Sequence, residues 1–464
     1  MRRSLFLSVL LIFLGGDYAF AQRQPPAATA YQDQSAARPS AEADANDGSD
    51  DSTDDRGDWD DDWGDDWEDS GPGGLVWSGF FEGAGGGRLQ SDDVINAWLT
   101  LGEARLRVNT DYQGERAQVH SKADVWYDWV DDNFHGGFRE LVLAAPVGTA
   151  TDIKLGRQIL TWGTGDLLFL NDLFPKDFVS FFAGRDDEYL KAPLDALRVM
   201  RFGSPVNLDF VWAPQFEPDR YVTGERFSFY SPLADAIVAP RPPLSADKPS
   251  NKFSNGEFAL RLFATANGTE YAAYGYRGFF KQPSALDADL QATFAALSVY
   301  GASLRRPLGR GLFNTEFAWY DSRDDRDGDD PLVPNSQLRY LAGYEWEARP
   351  RFNVGLQYYL EWIHGHDDLK ENSLNPDAEP DEVRHLLTNR LTLRALHDKL
   401  TASLFTFWSP SDQDFYLKPQ LDYRHDDRWS WALGANLFGG AHDYTFFGQF
   451  QDDSNAFARM RITF

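Results

Sequence analysis

Residues 352–362 read FNVGLQYYLEW, and apolar side chains occupy every second position. The apolar series consists of Phe352, Val354, Leu356, Tyr358, Leu360 and Trp362. Polar residues and glycine fill most of the positions between them. A period of two is typical of a β-strand that has one apolar and one polar face. The segment therefore predicts a strand that separates an apolar environment from a polar one.

The same alternation recurs along residues 73–464 and predicts an all-β domain. The expected strands are 75–85, 98–112, 117–129, 138–146, 152–159, 194–203, 207–213, 254–265, 270–280, 292–305, 311–321, 338–348, 352–363, 384–396, 399–408, 414–424, 429–438 and 455–464. The links between them are alternately long and short. An even strand number with all long links on one side is typical of a transmembrane antiparallel β-barrel, here of about 18 strands.

The N-terminus has the pattern of a secretory signal peptide. Arg2 and Arg3 precede an apolar run at residues 5–14, and Ala19-Phe20-Ala21 supplies small residues around a cleavage site. Residues 1–21 are therefore expected to be removed during export. The mature protein is then expected beyond the inner membrane.

Residues 22–72 are predicted to form an acidic, disordered periplasmic tail. Residues 41–70 hold 15 Asp or Glu and a single cation, Arg56. Such a charge density opposes compaction. Tryptophan recurs every fourth residue from Trp59 to Trp67, so a short helix that docks on a periplasmic partner stays open as an alternative.

The composition excludes several classes of function. The chain has no cysteine, which excludes thiol nucleophiles and cysteine-ligated metal centres. Its formal net charge of -28 argues against nucleic acid as a partner, because phosphate binding needs a basic surface. The chain has no internal run of 18 apolar residues, so no membrane-spanning helix is predicted. No cofactor is expected.

The link at residues 160–193 is the main candidate for a functional site. It combines seven aromatic with nine charged residues, a mixture that is costly to expose on a free loop. We expect it to fold into the barrel, narrow the lumen and set selectivity. The candidate constriction residues are Trp162, Asp166, Asp172, Lys176, Asp177, Arg185, Asp186 and Asp187. The alternative is an external cap that only stabilises the rim. The proline-rich link 214–253 is expected to act as a lid.

Strand alternation also predicts which charges line the lumen. By register, twelve cationic and nine acidic side chains point inward. The selected pore-lining candidates are Arg105, Arg107, Lys122, Arg261, Arg339, Arg390, Arg394, Arg424, Arg459, Arg461, Glu345 and Glu361. Because arginine binds carboxylates and phosphates through several donors, the set suggests a path for anionic solutes. The alternative is that these charges only pair across the lumen.

A catalytic or metal site is not indicated. The loop sequence His364-Gly365-His366-Asp367-Asp368 contains two imidazoles and two carboxylates, which are metal-ligand types. A polar loop tip collects such residues without function, and we favour that interpretation. None of the eight histidines belongs to an evident Ser-His-acid arrangement, so no enzyme is expected, and no metal site.

The sequence resembles bacterial outer-membrane porins. The resemblance rests on the signal peptide, the rhythm of strands and links and the terminal Phe464. The segment Leu155-Gly156-Arg157-Gln158-Ile159-Leu160-Thr161-Trp162-Gly163 is similar to Gly-Arg-Gln…Trp-Gly segments of porin-like proteobacterial proteins. The strand count and the arginines look most like the alginate-export and substrate-specific porins. The resemblance implies a Gram-negative outer-membrane location and a C-terminal strand that the barrel assembly machinery recognises.

The expected function is passive passage of polar solutes, with anionic solutes and oligosaccharides as candidates. The expected partners are outer-membrane lipid, lipopolysaccharide and the solute. A barrel that sheathes or scaffolds a partner protein through its acidic tail remains the second hypothesis. A third, an outer-membrane hydrolase, would need one essential histidine, and none is nominated.

Overall fold

The structure, a computed structural model, describes residues 74–464. Eighteen of the strands in this range form one antiparallel sheet, which closes where the last strand pairs with the first. They are β1 (Leu75–Arg88), β2 (Leu99–Gln113), β3 (Gln118–Asp128), β4 (Asn133–Pro146), β5 (Thr151–Gln158), β6 (Leu194–Arg201), β7 (Asn207–Ala213), β10 (Glu257–Ala266), β11 (Thr269–Phe279), β14 (Ala296–Leu308), β15 (Gly311–Ser322), β16 (Gln337–Arg349), β17 (Phe352–Ile363), β18 (Val383–Ala395), β19 (Leu400–Ser409), β20 (Asp414–Arg424), β21 (Trp429–Gly440) and β22 (Asn455–Thr463). This arrangement confirms the predicted fold class. The expected signal peptide and the whole of the expected tail lie outside the described residues.

The remaining elements lie in the links. Two short hairpins are formed by β8 (Phe229–Ser231) with β9 (Ala236–Val238) and by β12 (Ala285–Leu286) with β13 (Ala292–Thr293). The helices are α1 (Phe178–Ala183), α2 (His366–Asn372) and three 3-10 turns at Asp187–Leu190, Phe253–Asn255 and Gly448–Asp453. Within the described range, no helix is long and apolar enough to cross a membrane.

Short turns gather at one end of the barrel and long links at the other. We call these the short-turn end and the long-loop end. The two-residue turn between β10 and β11 is Asn267-Gly268, with φ of 52° and 69°. Positive φ at both positions is what a tight hairpin turn of this kind requires, and Asn-Gly is its preferred sequence. Turns of this length fix the register of neighbouring strands.

Three strands begin three or more residues away from the start that the sequence predicts. β4 begins at Asn133 rather than at 138, because the backbone around Gly136 pairs with β3 although its sequence does not alternate. β10 begins at Glu257 rather than at 254, since the preceding residues form a 3-10 turn. β14 begins at Ala296 rather than at 292, because residues 292–293 belong to the short hairpin instead.

The outward face of the barrel is apolar. Exposed outward residues in the middle of the strands include Leu106, Val125, Leu143, Leu155, Tyr300, Leu356, Leu421 and Leu433. At the short-turn end, Phe464 packs against Trp77 with 5.9 Å between ring centroids. Its backbone continues the β1 ladder through hydrogen bonds with Gly79. The barrel is therefore apolar outside, and its buried core lies inside the closed sheet.

Candidate functional site

The link between β5 and β6, residues 159–193, lies inside the barrel, and we call it the lumen loop. Phe182, in α1, is almost fully buried. Its ring lies 5.3 Å from Phe438 of β21 and 6.0 Å from Tyr416 of β20, centroid to centroid. The expected inward fold of this loop is confirmed.

One part of the lumen loop is held by apolar contacts. We call it the apolar anchor, and it consists of Trp162, Leu170, Phe174, Phe181 and Phe182, all buried in one cluster with wall residues from many strands. The Trp162 ring packs edge-on against Phe174 at 5.0 Å. Its indole N–H donates to Asp209 on β7 over 3.1 Å. Burying several large aromatics fixes where the loop lies.

The first turn of the loop is tied to a buried carboxylate. Glu316 on β15 accepts hydrogen bonds from the backbone N–H of Thr164, from that of Gly165 (2.8 Å) and from Asn171 Nδ2 (2.7 Å). Gly163 has φ +90°, and a Cβ there would lie 3.0 Å from Glu316 Oε1. The positive φ and the close approach of Glu316 therefore explain why glycine follows Trp162.

Gly156, Arg157 and Gln158 form the Gly-Arg-Gln part of the porin-like motif and lie at the end of β5, directly before the lumen loop. Gly156 has φ +127°, and a Cβ at this position would lie 2.1 Å from the carbonyl oxygen of Leu141. Gln158 is buried and donates to the carbonyl of Ala196 over 2.9 Å. Arg157 points to the outside, where it pairs with Asp195 at 3.2 Å. These residues of the porin-like motif therefore have a role in the backbone conformation and packing at the end of β5.

A second part of the lumen loop is held by charge, and we call it the ion-paired ring. Its loop acids are Asp166, Asp186, Asp187 and Glu188, and its wall cations are Arg107, Arg390, Lys418, Arg459 and Arg461. Asp186 Oδ2 lies 2.7 Å from Arg459 and 3.0 Å from Arg461. The Asp166 carboxylate accepts hydrogen bonds from both Nε (2.6 Å) and Nη2 (2.7 Å) of Arg390. Asp187 pairs with Lys418. The acids of the loop thus neutralise part of the basic wall.

Part of the ion-paired ring surrounds Tyr189. Arg107 binds Glu188 of the loop (2.8 Å) and Asp124 of β3 (2.6 Å). The guanidinium carbons of Arg105 and Arg107 lie 4.5 and 5.0 Å from the Tyr189 ring centroid. Stacked cations on an aromatic face add to the ion pairs. Glu188 and Tyr189 are among the charged and aromatic residues of the loop that the sequence predicts to fold inward.

The other constriction candidates hold the loop in shape. Asp172 binds Lys176 at 2.9 Å, and both are nearly fully buried. Asp177 caps α1 by accepting from the backbone N–H of Ser180 (2.8 Å). Arg185 extends from the loop to the wall acids Glu103 and Asp128. These four side chains are enclosed by protein.

The remaining pore-lining candidates occupy inward positions of the wall. They pair as Lys122 with Glu140 (3.2 Å), Arg261 with Glu270 (2.6 Å) and Arg339 with Glu361 (3.3 Å). Glu345 lines a pocket together with Asp166, Arg305 and Arg390. Arg394 and Arg424 stand at the short-turn end of β18 and β20. A role of these residues in passage stays a prediction.

The link between β7 and β10, residues 214–256, crosses the long-loop end, and we call it the mouth segment. Arg226 in this segment reaches Asp128 and the carbonyl of Thr100 (2.5 Å) on β3 and β2. Ser228 donates to Asp453 in the link before β22 (3.1 Å), and only β1 separates β22 from β2. The segment thus reaches from β7 to the part of the wall that β22, β1, β2 and β3 form. Arg226 and Asp453 lie outside the alternating segments, so the strand pattern does not predict their contacts.

A buried carboxylate joins the mouth segment to the lumen loop. Asp219 accepts from the backbone N–H of Lys176 (2.7 Å) and from Gln282 (2.7 Å). Burial raises the pKa of Asp219 to about 6, although the bond from Lys176 and the charges of Lys176 and Lys281 favour the ionised form. The buried carboxyl therefore binds its proton more tightly than an exposed aspartate does.

The histidine-containing link lies at the same end. His366 Nε2 is 2.9 Å from the carbonyl oxygen of Pro380, and the His364 ring contacts Trp319 and Trp362 edge-on. Within residues 74–464, no group of three or more His, Asp or Glu has the geometry to hold a metal ion.

The comparisons concern the fold. No protein-family model matches the sequence, and no curated protein matches it significantly. Among solved structures, the chain is similar to OccAB3 of Acinetobacter baumannii, with TM-score 0.50, 11% identity, and coverage of 84% of this chain and 99% of that one. It also matches OccD3 (OpdP) of Pseudomonas aeruginosa, with TM-score 0.49, 11% identity, and coverage of 84% and 91%. OccAB3 is an outer-membrane porin, so the described residues have a porin fold.

Proposed function

We propose that this barrel is a non-enzymatic outer-membrane channel through which polar solutes pass by diffusion. A closed sheet of 18 strands encloses more space than its own side chains fill, and barrels of this size usually hold an aqueous path. The apolar outward face suits contact with outer-membrane lipid and lipopolysaccharide. The long-loop end then faces outward from the cell, and the short-turn end faces the periplasm.

The observation that carries the proposal is the charged interior. The inward face bears rows of arginine and carboxylate side chains, and the lumen loop adds its own charges beside them. A barrel that only needed a filled core would pack apolar residues there, because desolvating ion pairs is costly. Charged walls beside a constricting loop are what a selective aqueous channel needs.

We further propose that anionic solutes, acidic oligosaccharides among them, are favoured. Arg390 and Arg305 line the pocket at the short-turn side of the lumen loop, and guanidinium groups bind carboxylates in two-pronged geometry. Asp166 and Glu345 share that pocket. A passing anion would replace these acids as a partner of the arginines, which keeps binding weak enough for release.

Planar-bilayer recording of the refolded protein tests the proposal. Discrete conductance steps are expected, and a salt gradient should give a reversal potential of the sign that indicates anion preference. Shortening the lumen loop by removing its interior, residues 166–188, should increase the step size, because this segment occupies the lumen. A matched control removes residues 366–378 of the link that contains α2, at the long-loop end, and should leave the step size nearly unchanged.

Silence of the intact protein and of the shortened variant would contradict passive diffusion. It would favour the alternative in which the barrel sheathes or scaffolds a partner protein through its acidic tail. Co-purification of such a partner, lost when residues 41–70 are deleted, would then be the supporting result.

A further inference from the structure

The outward face of β11, β14 and β15 changes from apolar to charged towards the long-loop end. The outward rows near the middle of β14 and β15 are apolar and include Tyr300, Ala302, Phe317 and Trp319. The next outward row towards the long-loop end contains Arg277, Ser298 and Asp321. The apolar part of the outward face therefore ends at the row of Arg277.

This row lies at the edge of the apolar band that would face lipid. On β14, the next outward cation beyond Ser298 towards the short-turn end is Arg306, about 27 Å further along the strand. An outer-membrane barrel has an apolar band of about 25 Å with aromatic residues at both edges. Tyr300 and Trp319 stand at the edge near Arg277. Arg277 is therefore placed at the level of the lipid headgroups.

Two arginines lie together at this edge. Tyr276 is buried inside the barrel, so Arg277 points outward, where it is exposed. Its side chain forms neither an ion pair nor a hydrogen bond within residues 74–464. Arg323, directly after β15, donates from Nη2 to the carbonyl oxygen of Gly278 over 2.6 Å, which places it beside Arg277. Burial and the charge of Arg277 lower the pKa of Arg323, while nearby acids favour its ionised form.

The nearby acids already have partners of their own. Asp321 pairs with Arg326 at 3.3 Å. Asp324 accepts a hydrogen bond from a backbone N–H at the start of β14 over 2.7 Å. In the described part of the chain, neither carboxylate pairs with Arg277. The guanidinium of Arg277 is therefore available to an anion from outside the chain.

Arg157 shows how the barrel neutralises an outward arginine elsewhere. It lies near the long-loop end of β5, and Asp195 on the neighbouring strand pairs with it at 3.2 Å. The residues paired with Arg277 on its two neighbouring strands are Phe258 and Ser298, which carry no charge. The site around Arg277 therefore lacks the carboxylate that the site around Arg157 contains.

We propose that Arg277 and Arg323 bind a phosphate group of lipopolysaccharide in the outer leaflet. Guanidinium groups bind phosphate through several N–H donors. The lipid A part of lipopolysaccharide carries its phosphates next to its acyl chains, so the chains would lie over Tyr300 and the apolar rows below it. The inference rests on the proposed orientation, in which the long-loop end faces outward from the cell. It goes beyond the channel function because it assigns a lipid site outside the lumen.

Binding of lipid A to the purified full-length protein in detergent tests the site. The probes are diphosphorylated lipid A and the same lipid without its phosphates. Arg277→Gln should weaken binding of the phosphorylated lipid about tenfold, which corresponds to ~1.4 kcal/mol, and Arg323→Gln should weaken it severalfold. Removing the phosphates should weaken binding to the unaltered protein by a similar factor. It should hardly change binding to Arg277→Gln, because both changes remove the same interaction.

Arg157→Gln is the matched control, since it removes an outward arginine that already has a partner in Asp195. It should change the affinity for the phosphorylated lipid less than about twofold. Equal effects of Arg277→Gln and Arg157→Gln overturn the proposal, and so does an Arg277→Gln effect of the same size on both lipids. Competition by inorganic phosphate at the concentrations at which lipid A binds would indicate a site for the free ion and overturns the lipid assignment.

A separate measurement tests the orientation on which the site depends. The natural chain has no cysteine, so Asp367→Cys places a single thiol at an exposed position of the long-loop end. A membrane-impermeant maleimide should label this thiol on intact cells. Labelling only after lysis overturns the outward orientation and the lipid site with it. Labelling of intact cells, combined with equal binding of the two lipids, overturns the lipid site alone.

Discussion

The apolar anchor and the ion-paired ring hold the same loop by different means. The anchor buries rings such as Phe182 among wall aromatics and is held mainly by apolar contacts. The ring matches loop acids such as Asp186 to wall arginines. Apolar contacts are non-directional and tolerate many arrangements. Ion pairs inside a barrel form only where an opposite charge stands at the right depth, because an unmatched buried charge is costly.

This difference suggests a division of tasks. The anchor determines where the loop lies and how much of the lumen it occupies. The ring determines which charges the remaining lumen presents to a solute. Altering the anchor should therefore change stability and channel width, and altering the ring should change selectivity more than stability.

The largest effect is expected from breaking the anchor with Phe182→Ala. The Phe182 ring touches Phe438, Phe450 and Tyr416, so its removal leaves a cavity. We expect the free energy of unfolding to fall by about 3–5 kcal/mol, as measured by denaturant titration of the refolded barrel. Single-channel conductance should rise or become unsteady as the loop loosens.

Phe253→Ala provides the matched control for this substitution. Phe253 lies in the mouth segment and is 73% exposed. The same truncation should cost well under about 1 kcal/mol at such a site. Equal losses for the two variants would show that the anchor is not a special source of stability.

A smaller effect is expected at the joint between the lumen loop and the mouth segment. The pKa of Asp219 is raised to about 6 by burial, so the folded state binds its proton more tightly than the unfolded state does. Stability should therefore increase as the pH falls from above 6 towards 4, and decrease as the pH rises through 6. The gain is about 3 kcal/mol at most.

Limited proteolysis of the mouth segment between pH 4.5 and 7.5 measures this dependence. Asp219→Asn resembles the protonated carboxyl, so it should protect the segment at pH 7.5 and flatten the pH profile. Asp289→Asn, at an exposed position of the neighbouring link, should leave the profile as it is. A profile that stays steep in Asp219→Asn would assign the titration to another group.

The sequence predicts the barrel well because strand alternation is a local property. β7, β17 and β20 begin and end where alternation places them. Lipid outside and charge inside impose the same period on every strand, so each strand is identified independently of the others. The predicted first residue of a strand is wrong where glycine interrupts the alternation, as at Gly136. It is also wrong where the residues form a short hairpin instead, as at residues 292–293.

The lumen is less predictable because its contacts join distant parts of the chain. Composition alone indicates that residues 160–193 fold inward. The partners do not follow from it, since Arg459 and Asp186 are 273 residues apart. Arg226 and Asp453 escape prediction for the same reason. The contacts of Arg226 with Asp128 and of Asp453 with Ser228 depend on the course of the mouth segment, which no local pattern encodes.

The double variant Asp186→Asn/Glu188→Gln of the ion-paired ring should change stability least. It should nevertheless change the ion selectivity of the channel clearly. It removes two negative charges from the lumen. The wall cations keep other partners, since Arg461 still binds Glu82 (2.9 Å) and Arg107 still binds Asp124 (2.6 Å). The anion-to-cation permeability ratio from reversal potentials should therefore rise severalfold, equivalent to about 1 kcal/mol.

Asp367→Asn/Asp368→Asn is the charge-matched control for the ring variant. These aspartates lie in the first turn of α2 and are exposed at the long-loop end, away from the lumen loop. Removing two charges there changes the net charge of the protein equally, but salt screens their influence on the lumen. If both double variants shift the permeability ratio alike, selectivity reflects overall charge and the ring has no special role. If only the ring variant shifts it, the charges that hold the loop against the wall also select the solute.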